Sequence, residues 1–225
     1  MQKFLIIWDF DGVIADTEKL WLRNRMTLLN RDYDLNWDFA TTNRHLGGMS
    51  DKTKREVLEK MGIATEDKFW DESMKLDMQK IDDGFALTDG IEEIFADKDF
   101  AQCIATGGVL SKSLLKIKAV GIEKYFDRKN LFTADMVENG KPAPDLFLLA
   151  AKTMGFEPQN CIVIEDSIAG LTAALKAKMN PIAFLGFDMY LGKECKMLAQ
   201  ALGVEHIFYN MRDIKEFLNK TYKQA

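Results

Sequence analysis

The sequence predicts an α/β protein, a doubly wound parallel sheet with a helical bundle inserted after its first strand. Three features point to it. Short apolar runs at residues 4–8, 101–105, 131–134, 161–164, 182–185 and 207–209 do not alternate with polar residues, as expected of strands buried on both faces. Helical spacing fills the intervals, in Leu110, Leu114 and Ile117 and again in Ile168, Leu171 and Leu175. Residues 16–84 break this rhythm with helical spacing and no strand pattern.

Taken in order, the first run ends in Asp9-Phe10-Asp11-Gly12, where polar residues and a glycine stop the strand. The insertion carries one stripe at Leu22, Met26 and Leu29 and another at Trp70, Met74, Met78 and Ile81, which we read as bundle core. Gly47-Gly48 supplies a turn between two of its helices, and Asp82-Asp83-Gly84 marks the return. The domains are therefore expected at 1–15 plus 85–225 for the sheet and 16–84 for the bundle. Pro142 and Pro144 precede the apolar stretch 146–151, a position that suits the start of a helix.

A chain of 225 residues can bury roughly 70% of its unfolded surface, so its core needs no disulfide or metal staple. Thirty basic residues against thirty-five acidic give a net charge of −5, and no basic cluster interleaves with aromatics, which argues against nucleic acid as a partner. No apolar run approaches the ~20 residues of a membrane span, and the first residues lack a secretory pattern, so a cytoplasmic protein with no membrane contact is expected. Cys103, Cys161 and Cys195 are odd in number and far apart, as expected of reduced, structural thiols. His206 is read as structural. The oligomeric state is left open, a monomer being sufficient.

In open parallel sheets ligands bind beyond the carboxyl ends of the strands. Asp9 and Asp11 stand one residue apart there, and side chains alternating with period two would point alike. Close carboxylates repel, so either a cation lies between them or one holds a proton. Thr106-Gly107-Gly108 offers a hydroxyl and open backbone N–H groups beside a helix start, suited to an anion or to plain capping. Lys141 brings a fixed positive charge after the third strand. Glu165-Asp166 ends the fourth, where N-capping by Asp166 or Ser167 is the rival reading.

Together, residues 9–18 (Asp-Phe-Asp-Gly-Val-Ile-Ala-Asp-Thr-Glu), Thr106-Gly107, 140–145 (Gly-Lys-Pro-Ala-Pro-Asp) and 164–170 (Ile-Glu-Asp-Ser-Ile-Ala-Gly) resemble the haloacid dehalogenase superfamily, in its branch with a helical cap after strand one. The resemblance covers almost the whole chain. It implies a Rossmann-like core and a Mg²⁺-dependent phosphatase acting on a small phosphorylated metabolite, phosphosugars among the candidates, through an aspartyl phosphate. Asp9 would be the nucleophile and Asp11 the general acid and base. Mg²⁺ would take Asp9, the Asp11 backbone carbonyl and Asp166, with Glu165 in support. Thr106, Gly107 and Lys141 would hold the phosphoryl oxygens. The insertion would open for substrate and close against water. Arg44 and His45, expected on a loop of it, are candidates for substrate contact, although a lone loop histidine more often bonds locally.

The nearest rival within the branch is a β-phosphoglucomutase-like isomerase. The histidine and arginine that such a mutase would place in its cap fall at Trp21 and Asp51, which favours hydrolysis. A dehalogenase proper would have little use for Asp11 or for the metal. A phosphorylation-controlled signalling module shares the residue types but is about half as long, without an inserted bundle. An inactive binder of phosphorylated metabolites is disfavoured by the intact motifs.

Overall fold

Each apolar run forms a strand, and all the strands join one sheet. The computed structural model describes residues 3–187 and 192–223; the parts of the expected sheet domain at 1–2, 188–191 and 224–225 lie outside the described residues. Strands β1 (Leu5–Trp8), β2 (Ala101–Thr106), β3 (Leu131–Thr133), β4 (Cys161–Glu165), β5 (Asn180–Phe184) and β6 (His206–Phe208) pair in parallel in the order β3-β2-β1-β4-β5-β6. The central strands are buried throughout, which is why their sequences do not alternate. Trp8 is level with Ile104 on one side and Ile164 on the other, so the carboxyl ends of β1, β2 and β4 finish side by side.

Four helices follow β1: α1 (Glu18–Tyr33), α2 (Phe39–Leu46), α3 (Asp51–Lys60) and α4 (Asp67–Asp83). Asp38 and Ser50 cap α2 and α3 by accepting the backbone N–H of Thr41 and Thr53, at 2.8 and 3.2 Å. Leu22, Leu28, Leu29, Leu46, Leu58 and Phe69 form a hydrophobic centre that belongs to this bundle alone. The remaining helices are α5 (Glu92–Phe95), α6 (Leu110–Ala119), α7 (Asp145–Met154), α8 (Ile168–Lys176), α9 (Gly192–Ala201) and α10 (Met211–Tyr222). Ile94, Ile117 and Ile214 place α5, α6 and α10 on one face of the sheet, with Ile6, Trp8 and Ile164. Phe147 and Ala174 place α7 and α8 on the other, with Leu5, Ile7 and Val163. Among the described residues no helix is long and apolar enough to cross a membrane. Cys103 and Cys161 are buried thiols in β2 and β4, and His206 packs on Phe217, ring centroids 4.3 Å apart.

The two passes of chain between sheet and bundle run together. Ala15 and Leu87 form an antiparallel bridge. The Thr88 N–H and hydroxyl donate to the Ile14 and Val13 carbonyls at 2.9 and 2.5 Å.

Two helices turn a different face inward from the one their apolar spacing suggests. On α4 the buried positions are Phe69, Ser73, Asp77 and Ile81, so the Trp70, Met74 and Met78 stripe is only half-buried and Met74 lines a cavity. On α6 they are Lys112, Ser113, Lys116 and Ile117, while Leu114 is exposed. Buried ion pairs cause both departures. Asp77 has no exposed surface and accepts from Arg25 Nη1 of α1 at 2.5 Å, Asn24 Nδ2 at 2.8 Å and Lys112 Nζ at 2.5 Å. Arg25 continues to Asp51 at 3.0 Å, linking α1, α3, α4 and α6. A buried charge is tolerated only when it is paired in this way.

Candidate active site

The ends of three adjacent strands build the site. Asp9 follows β1, and its N–H still donates to the Ile164 carbonyl of β4 at 3.0 Å. Thr106 is the last residue of β2 with Gly107 just after it, and Glu165 is the last of β4 with Asp166 just after it. Lys141 arrives on the loop before α7, ahead of a cis bond to Pro142. Its ammonium donates to Asp9 Oδ1 at 2.5 Å, Glu165 Oε1 at 2.7 Å and the Ala105 carbonyl at 3.1 Å. The other Glu165 oxygen accepts from the Ser167 N–H and hydroxyl at 2.7 and 2.9 Å. Oxygens of Asp9, Glu165 and Asp166 lie within 4.8 Å of one another. The structure thus gathers Asp9, Lys141, Glu165 and Asp166.

Three acids round one lysine leave unbalanced negative charge out of water. Burial raises the Asp9 carboxyl to about 8; Lys141 opposes the rise, and Glu165 and Asp11 reinforce it. Burial likewise pushes Asp166 well above the ordinary carboxyl range, with Glu165 and Asp9 adding to the effect. For Lys141 burial favours the neutral amine, but Asp9 and Glu165 outweigh it and hold the proton more firmly than on a free lysine.

Asp11 is set apart from this cluster. The alternation expected to aim it alongside Asp9 ends with β1 at Trp8, and its carboxylate turns to other partners. Oδ1 accepts from the Thr17 hydroxyl at 2.5 Å and from the Trp21 indole N–H at 2.6 Å, and Oδ2 accepts from Lys116 Nζ at 2.6 Å. Burial acts to raise its pKa, but Lys116 and Lys112 more than reverse this and keep Asp11 ionised well below the usual range. Two neighbouring carboxyls are thereby driven in opposite directions: with no metal ion beside them, Asp9 holds a proton and Asp11 holds none. Thr106 is buried and accepts from the Gly108 N–H at 3.3 Å, so its side chain supports the glycine turn.

The bundle covers these strand ends with the loop between α2 and α3. The Gly48 N–H donates to Glu18 at 2.9 Å, and Lys52 Nζ donates to the Glu138 carbonyl at 2.6 Å. Gly48 takes a φ of +68°, and a Cβ there would stand 2.1 Å from Ser167 Oγ. Two cavities open beside the loop. One of about 330 Å³ reaches Asp9, Asp11 and Gly107 and is lined by Arg25, Asp51 and Lys54. Another of about 450 Å³ reaches Asp166 beneath Leu22, Phe39 and Phe187. The smaller one holds both carboxylates of the first motif. Arg44 and His45 belong to the last turn of α2 rather than to a loop; Arg44 pairs with Glu194 at 3.3 Å, and His45 lies against Trp37 with ring centroids 5.2 Å apart. Lys112 and Lys116 carry no motif spacing, and Trp21 stands out in the sequence only as the position of a mutase's cap histidine; placing α1 and α6 is what brings all three round Asp11.

Gly12 makes room for the second acid of β4. Its φ is +86°, and a Cβ would lie 1.9 Å from Asp166 Oδ2. We expect Gly12→Ala to lower stability by about 1–3 kcal/mol, read as the urea midpoint, because it combines backbone strain with that clash. An unchanged midpoint would contradict the close approach.

Residues 6–184 match the family described as haloacid dehalogenase-like hydrolase. Fructose-1-phosphate phosphatase YqaB of Escherichia coli (strain K12) is 29% identical over 184 residues, which cover 79% of this chain and 94% of that protein. The phosphorylated carbohydrates phosphatase of Thermotoga maritima is 25% identical over 186 residues, covering 79% and 82%. Among solved structures, β-phosphoglucomutase from Clostridium difficile superposes with a TM-score of 0.78 at 22% identity, covering 100% of this chain and 98% of its own. CbbY from Rhodobacter sphaeroides in complex with phosphate gives 0.73 at 22% identity, covering 93% and 95%. At those identities the two structures speak to the fold alone. Because the matched segment runs from the first strand of the sheet through the fifth and takes in the helical insertion, the chain belongs to the haloacid dehalogenase-like hydrolases.

Proposed function

We propose that this phosphoric monoester hydrolase releases phosphate from small polyhydroxylated phosphomonoesters, sugar phosphates above all, through an aspartyl phosphate on Asp9. The observation that carries the reading is the buried Asp9 carboxyl, held by Lys141 beside the acids at the end of β4, in a cavity lined by several charged side chains. With its own proton gone, an Asp9 oxygen attacks phosphorus as the ester bond breaks, and Asp11, which takes up a proton when the anionic phosphate enters beside it, passes that proton to the departing oxygen. Asp11 then takes a proton from water as the water attacks the aspartyl phosphate, which frees phosphate and restores Asp9. Lys141, the Gly107 N–H and Thr106 stabilise charge on the phosphoryl oxygens.

The donor set fits Mg²⁺: all oxygen, clustered, and made costly by mutual repulsion. Both Glu165 oxygens already serve Lys141 and Ser167, so Asp9, Asp166 and the Asp11 backbone carbonyl would hold the ion, with Glu165 in support. When bound, the dication offsets repulsion between the anionic nucleophile and the anionic phosphate. The insertion acts as a cap, and its loop at Gly48 keeps water from the reacting atoms.

The charges lining the cavity support a polyol as the leaving group. Asp51 and Lys54, 3.9 Å apart, offer an acceptor and a donor to hydroxyls. Asp51 is also committed to Arg25, and Trp21 to Asp11, at the two positions where a mutase would carry its own cap residues. We expect β-glucose 1-phosphate with its bisphosphate to yield no glucose 6-phosphate above background; efficient isomerisation would reverse the preference for hydrolysis.

Two measurements test the core of the reading. A panel of phosphorylated metabolites ranked by kcat/KM should place sugar phosphates first and lose all turnover on chelation; metal-independent turnover would count against it. Mg²⁺ binding only the folded state should raise Tm. The rise should be larger at pH 8 than at pH 5, because Asp9, with its pKa near 8, is protonated at the lower pH and the ion must displace that proton. Equal shifts at both pH values would speak against Asp9 as a ligand.

A further inference from the structure

Lys116 is a fully buried lysine that the proposed reaction does not use. An ammonium withdrawn from water is unfavourable unless paired, and its ion pair among the described residues is with Asp11, across 105 positions of chain. The same ammonium lies 4.3 Å from the centre of the Phe10 ring, which fixes its approach. From the opposite side, the bundle contributes Trp21. Its indole is held in turn by Lys112 Nζ, 4.0 Å from the ring centroid, and meets Phe85 edge-on at 6.4 Å. Lys112 is tied to Asp77 of α4. The grip on Asp11 therefore comes from α6 on the sheet and from α1 of the insertion.

A carboxylate offers about four lone-pair sites. Thr17 and Trp21 fill both on Oδ1, and Lys116 fills one on Oδ2, which leaves a single site, on Oδ2. We propose that Lys116 and Trp21 are positioning residues that fix the rotation of Asp11, so that Oδ2 exchanges the proton with the leaving oxygen and with water. This rests on the reading of Asp11 as the proton-transferring group. Because the two grips sit on different bodies, the orientation is complete only with the insertion seated on the sheet.

The test is the dependence of kcat/KM on the leaving group, with Mg²⁺ present. Phenyl phosphate needs a proton on its departing oxygen far more than 4-nitrophenyl phosphate does. Trp21→Phe keeps a six-membered ring for Lys112 and Phe85 and removes the N–H together with the five-membered ring that carries it. We expect it to lower kcat/KM for phenyl phosphate by about 10-fold to 100-fold and to change 4-nitrophenyl phosphate less than threefold. Lys116→Met should show the same bias and Lys116→Arg should recover part of the loss. In an Asp11→Asn background, Trp21→Phe should add nothing. Equal losses on both substrates, or none, would overturn the proposal. If Asp11→Asn itself leaves phenyl phosphate turnover intact, the assignment of Asp11 fails; if Asp11→Asn is impaired while Trp21→Phe and Lys116→Met behave as wild type, only the positioning role fails.

Discussion

Asp9→Asn should abolish turnover, lowering phosphate release from 4-nitrophenyl phosphate by on the order of 10³-fold or more while the fold persists. The amide matches the carboxylate in shape but offers no anionic oxygen to attack phosphorus. Its effect on stability should be opposite in sign to its effect on rate. Asp9 is a carboxyl whose folded value is raised, from 3.8 to about 8. Between those values the folded chain keeps a proton that the unfolded chain has lost, so metal-free wild type loses stability as pH rises through that window. Asp9→Asn removes this contribution, and its urea midpoint should fall less between pH 4 and pH 8. Normal turnover by the variant would end the nucleophile assignment; a pH profile identical to wild type would mean that Asp9 is not strained by its neighbours.

Lys141→Met should be damaging to both fold and rate. Methionine fills a similar volume but leaves Asp9 and Glu165 facing each other without a counter-charge, at 8% and 1% side-chain exposure. Breaking a buried pair from one side costs about 3–5 kcal/mol, a large share of the roughly 5–15 kcal/mol that keeps a domain folded. Rate should fall by about 10²- to 10³-fold as the charge near the transferred phosphoryl group is lost. Lys141→Arg should rescue neither, because one ammonium reaches three oxygens, two side-chain and one backbone, at 2.5–3.1 Å. A planar guanidinium cannot take that place in so closed a site. A urea midpoint for Lys141→Met within error of wild type would show that the acids do not depend on this lysine.

What could be read from the sequence depended on how local the cause was. The strands were legible because central parallel strands are apolar on both faces, and Ile6, Ile7, Val163 and Ile164 need no partner to declare themselves. Ends were less so: β5 begins at Asn180 instead of 182 because its pairing with Ile162 extends it backwards. The site residues adjoining strand ends, Asp9, Thr106, Glu165 and Asp166, were legible for the same local reason. The inward faces of α4 and α6 were not. The apolar spacing of α6 points to Leu114 as an inward residue, yet Lys116 is the one buried, because Asp11 lies opposite it on another element. Likewise Asp77 takes the core position on α4 because Arg25 and Lys112 converge there. Partners remote along the chain leave no periodic trace.

The bridge between Ala15 and Leu87, with Thr88 bonded to Val13 and Ile14, means that the excursion from the sheet leaves and returns through one doorway. The two covalent tethers lie side by side, so once the Lys112–Asp77 ion pair and the bond from Lys52 to the Glu138 carbonyl part, the excursion turns about that doorway as a pivot. Its helices can vary in length without disturbing the strand order, but the start of the excursion cannot, because Thr17 and Trp21 hold the Asp11 carboxylate.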